Sequence, residues 1–337
     1  MLDCTYKGEL GMELSAELRI HTDNNEADIE KKYELMWDIP CGENPQQDAA
    51  IFKTDGMADF EIYDDKTLTY SEIKSVTHIT NILSEFYDVN SAVMANNTIV
   101  CGVSLGATVD EACQKVIDAD PISIVNGAVG FSSKVDYYTA EILYSVSAGL
   151  IIAPDYDDKA LEKLLGNPNI KIIKLNTPLE SFKTISQKDI QVTPFGTIYQ
   201  DFNRSQLGKD SFKVVTKTKP TKEQIEDAVF AWKISKHTHS NSVVVVKDFK
   251  TSAIVQRFSS TVNACEYAMD MSCEASKDAV LASDNIITSV ASINAAAQGR
   301  ISVIIEPGGS ANDKKLIELA DKFNIVLIFT GIRNYKF

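Results

Sequence analysis

The stretch ISVIIEPGGSANDKKLIELADKFNIVLIFTG, Ile301 to Gly331, decides the fold. It opens on an apolar run, breaks at Pro307-Gly308-Gly309, passes through the helical segment NDKKLIELADKF and closes on a second apolar run. Two buried strands joined by a helix form a βαβ crossover, expected right-handed. Upstream the same alternation recurs. SVVVVK (Ser242–Lys247) is a nearly continuous apolar strand, as a sheet covered on both faces requires. Before it, Thr221 and Gln224 follow Pro220 as a capping box, and Ile225, Ala228, Val229 and Trp232 make one apolar helical face. Ser283-Asp284 is expected to open a further helix that runs through SINAAAQG.

The first part of the chain has the same grammar. SEIKSVTHITNILSEF repeats Ile73, Val76, Ile79, Ile82 and Leu83 at helical spacing. SAVM, from Ser91, is a short buried strand that runs into the turn residues Asn96 and Asn97, and TVDEACQKVIDAD is a helix. Val135 to Ser147 is again helical, with Tyr137 and Tyr138 assigned to packing. GLIIAPD and IKIIKL are strands separated by the helix DDKALEKLLGNPN, which Gly166 and Pro168 stop. Residues 176–212 are less regular, and VTPFGTIYQDFNRS reads as an extended excursion. The expected organisation is an acidic segment over 1–36 and two α/β subdomains, 37–200 and 201–337, with no tandem repeat.

Composition narrows the function classes. The 337 residues carry a formal net charge of −14, which repels phosphate backbones and anionic lipid, so neither nucleic acid nor a membrane is an expected partner. Six cysteines, Cys4, Cys41, Cys101, Cys113, Cys265 and Cys273, show no CxxC pair and read as free thiols of a reducing compartment. No signal peptide and no apolar run of ~18 residues is evident, so the expected location is the cytoplasm. The four histidines, His21, His78, His237 and His239, make no metal signature, and no metal is expected.

Three motifs carry possible chemistry. EPGGS (Glu306–Ser310) sits between strand and helix, where free amides suit an anion, but without a phosphate-loop pattern it reads as a tight βα turn. KISKHTHSNS (Lys233–Ser242) clusters Lys233, Lys236, His237, His239 and Asn241 where a helix enters a strand. It is equally consistent with a ligand pocket and with cations at a helix C-terminus. Cys101 beside Gly102 has no local histidine partner and reads as a packed thiol rather than a nucleophile.

Taken together, GENPQQDAAIF, VCGVSLG, DADPIS, IIAPDYDDKALEKL, the segment Val214–Asp248, LASDN and the tail from Ile304 resemble, in order, the formyltransferase domain of the bifunctional purine-biosynthesis family, AICAR transformylase. The resemblance runs from about residue 37 onward; the cyclohydrolase domain that ordinarily precedes this region is expected to be missing. It implies two α/β/α subdomains of cytidine-deaminase-like type without zinc, in an interlocked homodimer. It also implies a reaction, formyl transfer from the co-substrate 10-formyltetrahydrofolate to the 5-amino group of AICAR. That transfer needs a general base, a donor for the tetrahedral oxyanion and a proton for the leaving folate nitrogen.

The family supplies base and cation from the Lys-His pair of KHANPCG, and here that segment is NNTIVCG, with Asn96 at the lysine and Asn97 at the histidine. An amide accepts no proton near neutral pH and carries no charge. Other departures agree. Pro40-Cys41 replaces the Arg-Tyr before the GENP motif, Gln46 replaces its histidine, and Ser71 and Glu72 replace the SYNN asparagines. Asn126 stands at a glycine of SAFGG, Thr261 at the arginine of the SR motif, and SDNIITS at SDAFFPF. Asn241, Arg333, Asp284, Lys233, Lys236, Gly127, Gly308, Gly309 and Ser310 are the substrate-binding candidates, led by Asn241 and Arg333; Ser283 also matches the family, and the matches are partly scaffold residues.

Two main readings follow, with altered chemistry on a different ligand in the same cleft as a third. One is an active transformylase in which His237 or His239 replaces the lost pair. The other is a non-catalytic regulatory, ligand-binding or partner subunit, a homodimer or a heterodimer with a related transformylase, with a purine nucleotide or folate as ligand. The missing base and arginines favour the second.

Overall fold

The computed structural model describes residues 17–20, 29–32, 34–47, 49–53, 56–185, 188–207 and 211–337. His21 and Cys4 lie outside the described residues, as does most of the acidic segment. Within that segment only β1 (Glu17–Ile20), β2 (Ile29–Lys32) and the start of β3 (Glu34–Ile39) are described; β1 pairs antiparallel with β2, and β3 with β4 (Ala49–Lys53).

The remaining chain builds one twelve-stranded sheet. At its centre two antiparallel hairpins stand side by side: β6 (Ser91–Asn96) with β7 (Ile99–Leu105), and β14 (Val243–Lys247) with β15 (Lys250–Val255). They meet where β7 pairs with β15, at Ser104 and Lys250, and Thr251 Oγ1 bonds both the amide and the carbonyl of Val103. Outward from β6 come the parallel strands β8 (Ala128–Phe131), β9 (Leu150–Ala153) and β10 (Lys171–Leu175), closed by the antiparallel edge strand β5 (Phe60–Ile62). Outward from β14 come β16 (Val280–Ser283), β17 (Val303–Glu306) and β18 (Val326–Phe329), again mutually parallel and closed by an antiparallel edge strand, β13 (Lys213–Val214). The sequence carries no repeat, yet both halves use one strand plan.

Period-two alternation explains the layers. Val243 and Val245 of β14 face one side, Val244 and Val246 the other, and all four are buried. On one face a single cluster spans both halves, joining Ile79, Val93 and Val103 to Phe230, Val244 and Val303. Two helices cover it, α1 (Tyr70–Leu83) and α5 (Lys222–Ser235). The opposite face is covered by α2 (Val109–Ala119), α3 (Tyr137–Ser145) and α4 (Asp158–Leu165) in the first half, and by α6 (Thr261–Ser272), α7 (Val290–Gln298) and α8 (Asp313–Lys322) in the second. Gly130 lets α1 sit close, since a Cβ there would meet Ile79 Cγ2 at 2.3 Å.

Several expectations are corrected. Ser283 ends β16 and opens no helix; α7 begins at Val290, capped by Ser289, whose hydroxyl accepts from the Ala291 amide. Tyr138 is 71 % exposed and Tyr137 41 %, so neither is a packing residue. The capping box at Thr221 and Gln224 is present, but α5 buries Ala228, Phe230, Ala231, Trp232 and Ile234, while Ile225 and Val229 are half-buried. The reason is a second partner: Phe230 packs on Phe86, just after α1, at a ring distance of 5.0 Å. The extended excursion is a hairpin, β11 (Lys188–Thr193) with β12 (Gly196–Asp201), whose Val192 and Phe195 are exposed. Among the described residues no helix is long and apolar enough to cross a membrane.

Candidate functional site

The β6–β7 connection places Asn96 and Asn97. Asn97 and Thr98 form a two-residue turn with φ of 46° and 70°, both left-handed, which matches the twist of a tight hairpin. Asn97 is exposed. Asn96 turns inward, its Nδ2 donating to the carbonyl of Ser123 at 2.7 Å. Ser123 is held in turn by Asp120, which accepts from its amide and its hydroxyl. Gly127 belongs to the same knot: a Cβ there would meet the Ser123 carbonyl at 2.4 Å. Asn126 holds a φ of 56°, which asparagine tolerates better than most residues. At this tip an amide caps a loop. Cys101 donates weakly to the Met94 carbonyl, and burial pushes its thiol up to about 12, so it is a packed thiol.

A cleft of about 700 Å³ lies elsewhere, between α1, the β11–β12 hairpin, the turn after α5 and the C-terminal tail. Lys74, Lys236, His237, His239, Arg257 and Lys336 line it, with Glu85, Asp189 and Asp201. Of the substrate-binding candidates read from sequence, only Lys236 lines this cleft.

The cluster KISKHTHSNS divides here. Lys236 and His237 both reach Oε1 of Glu85, at 2.8 and 3.1 Å, and Lys233 donates to the Glu85 carbonyl. Burial works to raise the Glu85 carboxyl, but the hydrogen bond and charge of His237, with Lys236, override it and hold the group at about 2. Burial lowers His237 despite Glu85. This knot joins the end of α1 to the end of α5 and leaves His237 engaged.

His239 differs. Its ring lies edge-on to His78 at 5.8 Å, and its Nδ1 is buried without a partner. Burial, then Lys336, Arg257 and Lys74, push His239 down to about 4. Burial, then Lys336, His239, Lys74 and His237, push His78 to about 3. Lys336 is itself lowered to about 8, by burial first and then by Arg257, with Asp189 opposing.

Asn241 and Asp284 do not line the cleft but bond to the turn and tail beside it. Asp284 accepts from the Ser240 hydroxyl and the Ser242 amide, and burial raises its carboxyl against those bonds. The Ser240 amide donates to the Lys336 carbonyl and the Lys336 amide to Ser240 Oγ, while Asn334 donates its amide to the Asp284 carbonyl. Asn241 is engaged at both ends of its side-chain amide: Nδ2 donates to the Phe258 carbonyl, and Oδ1 accepts from Asn285 and Thr261. Arg333 is exposed and stacks on Tyr335, 5.2 Å from the ring centroid.

EPGGS is a turn whose amides are used internally. Gly308 and Gly309 take φ of 71° and 95°. The Gly308 amide goes to Glu306 Oε2, and the amides of Gly309 and Ser310 go to Asp313. Glu306 is fully buried, its Oε1 has no partner, and burial pushes it up to about 7. Glu72 closes the α1 capping box on Thr69 and pairs with Lys171.

Sequence reasoning missed His78, Arg257 and Lys336. His78 sits within the apolar helical pattern, and in the last five residues only Arg333 is a substrate-binding candidate. A signal existed for Arg257: a cation two residues past the end of an apolar strand.

The profile of the AICARFT/IMPCHase bienzyme family matches residues 9–271. The chain belongs to that family. It is 37% identical over 310 residues to the bifunctional purine biosynthesis protein PurH of Caldicellulosiruptor saccharolyticus, covering 90% of this chain and 60% of that one. Against PurH of Clostridium botulinum identity is 36% over 308 residues, and against PurH of Oceanobacillus iheyensis 30% over 309, again with 90% and 60% coverage. The chain therefore spans about 60% of the length of these AICARFT/IMPCHase relatives. Among solved structures, RibD of Acinetobacter baumannii aligns at 8% identity over 76% of this chain and 72% of that one; its TM-score of 0.26 carries no argument.

Proposed function

We propose that the chain is a transformylase-like protein of purine biosynthesis whose family reaction, formyl transfer from 10-formyltetrahydrofolate to AICAR, is impaired by several powers of ten. Its retained role is that of a regulatory, ligand-binding or partner subunit, working in the cytoplasm on a deaminase-like α/β/α scaffold without zinc. The observation that carries this reading is the β6–β7 tip. Where the family has lysine and histidine, one asparagine side chain is spent on the Ser123 carbonyl and the other stands exposed in a tight turn. Neither supplies a base or a cation, and losing both typically costs several orders of magnitude. The exposed Val192, Phe195 and Ile198 of the β11–β12 hairpin support a homodimer, or a heterodimer with a related transformylase.

One observation favours the active reading: the free Nδ1 of His239 beside Lys336 is a base next to a cation. At about 4, however, His239 lies well below the value that suits a base working near neutral pH. The test is formyl-transfer turnover of the double variant Asn96→Lys, Asn97→His. It should remain inactive, because Pro40 and Thr261 still replace the family's arginines. Recovery of ordinary family turnover would show that the pair alone was limiting.

A further inference from the structure

We infer that the cleft holds an anionic group of about phosphate size between Lys336 Nζ and the Arg257 guanidinium, with Lys74 at its rim. The proposal deepens the ligand-binding role above, yet it rests on the cleft and not on turnover.

Charge balance is the first argument. In a chain of net charge −14, Lys336 and Arg257 stand on one cleft wall without a paired carboxylate among the described residues, whereas Lys74 at the rim is paired with Glu43 at 3.5 Å. Glu85 is committed to Lys236 and His237. Among the described residues, no carboxylate lies within ion-pair distance of Lys336 or Arg257. Asp189 acts on Lys336 only at longer range and accepts from Gln200 at 2.7 Å. Asp189 and Asp201 line the hairpin side of the cleft, so an anion is held to the opposite side, where Arg257 and Lys336 stand.

Preorganisation is the second. Lys336 is fixed through its amide and carbonyl on Ser240, and its ammonium makes one hydrogen bond, to the His237 carbonyl at 3.2 Å. Two of its three protons remain for a ligand. Arg257 is tied to His239 by its own amide, which donates to the His239 carbonyl at 3.0 Å. It holds this place at a φ of 63°, uncommon for a side chain of its size. The amide of His239 is fixed by Gln256 Oε1, whose Nε2 holds Val100. The His239 ring itself lines the cleft beside these two cations, while its Nδ1 is turned away from solvent. The cleft volume, about 700 Å³, accommodates the rest of a small metabolite.

The test is titration calorimetry of the whole chain with inorganic phosphate at constant ionic strength, sodium chloride making up the difference. Saturable binding is expected with a Kd of about 1 mM or tighter. Arg257→Gln and Lys336→Gln should each weaken it about tenfold, as losing one charge-assisted contact does. Lys222→Gln, at an exposed helix end, should change nothing. Parallel titrations with AMP and with glutarate separate the sources: tighter AMP identifies a phosphate ester, tighter glutarate a dicarboxylate, and either supports the site. Absence of saturable heat with all three, or unchanged affinity in Arg257→Gln, overturns it. Arg257 is exposed and pairs with no acid among the described residues, so that variant decides the matter even if Lys336→Gln fails to fold. None of these outcomes bears on turnover, which the formyl-transfer assay reads separately.

Discussion

Glu85 shows how one side chain ties distant segments. Its side chain is 7 % exposed, and it gathers Lys236, 9 % exposed, and His237 from 151 and 152 residues away. Glu85→Gln leaves a buried ammonium without its counter-charge. It should cost about 3–5 kcal/mol, read as a fall in the denaturation midpoint. A loss below about 1 kcal/mol would place the pair in effective solvent. The histidines predict a pH dependence. His78 and His239 are held at about 3 and about 4 against an ordinary 6.5, so the unfolded chain binds more protons as pH falls. Their stabilisation is complete above 6.5 and is lost as pH drops through 6.5 toward 3. Glu306, raised to about 7, works the other way between 7 and 4.5. His78→Gln isolates the histidine contribution: thermal melts from pH 7 to 4 should lose less stability in the variant than in the parent chain. An equal or steeper loss would contradict the assignment.

At the scale of elements, the β6–β7 turn makes a stability prediction. Thr98 is β-branched and holds a φ of 70°, where such residues are strained and glycine is at ease. Thr98→Gly should raise stability by about 1 kcal/mol, seen as a higher melting midpoint. A lower midpoint would mean that the hydroxyl has an unrecognised role. The same turn shows what the sequence made legible. The apolar run from Ser91 and the asparagines predict strand and turn, and the family resemblance marks Asn96 and Asn97 as replacements. That Asn96 would cap Ser123 was not legible, because it depends on where a loop 27 residues on is folded. Likewise the α5 capping box was readable because it is local, whereas the buried face of α5 was set by Phe86, a distant neighbour. Ser283-Asp284 imitates a helix start; its side chains serve instead as strand-end acceptors and donors, Asp284 taking Ser240 and Ser242. The cleft was hidden for the same reason: Lys74, His239, Arg257 and Lys336 converge only through tertiary packing.

At the scale of the whole molecule, the sheet runs unbroken through both halves, and one core cluster joins Ile79 and Val93 to Phe230 and Val303. The halves should therefore unfold together. Fluorescence of the two tryptophans, Trp37 and Trp232, and far-ultraviolet circular dichroism should give coincident denaturant midpoints. Separate midpoints would show that the β7–β15 seam is weaker than its shared core implies. The same scaffold carries the functional claim proposed above: in a chain of the AICARFT/IMPCHase family, Asn96 caps the Ser123 carbonyl and Asn97 sits in the hairpin turn. The measurement that tests it most directly is turnover of the purified chain with AICAR and 10-formyltetrahydrofolate, set beside an ordinary family member. The account predicts a rate at least about a thousandfold lower, as loss of a base and an oxyanion-stabilising cation implies. A comparable rate would contradict it.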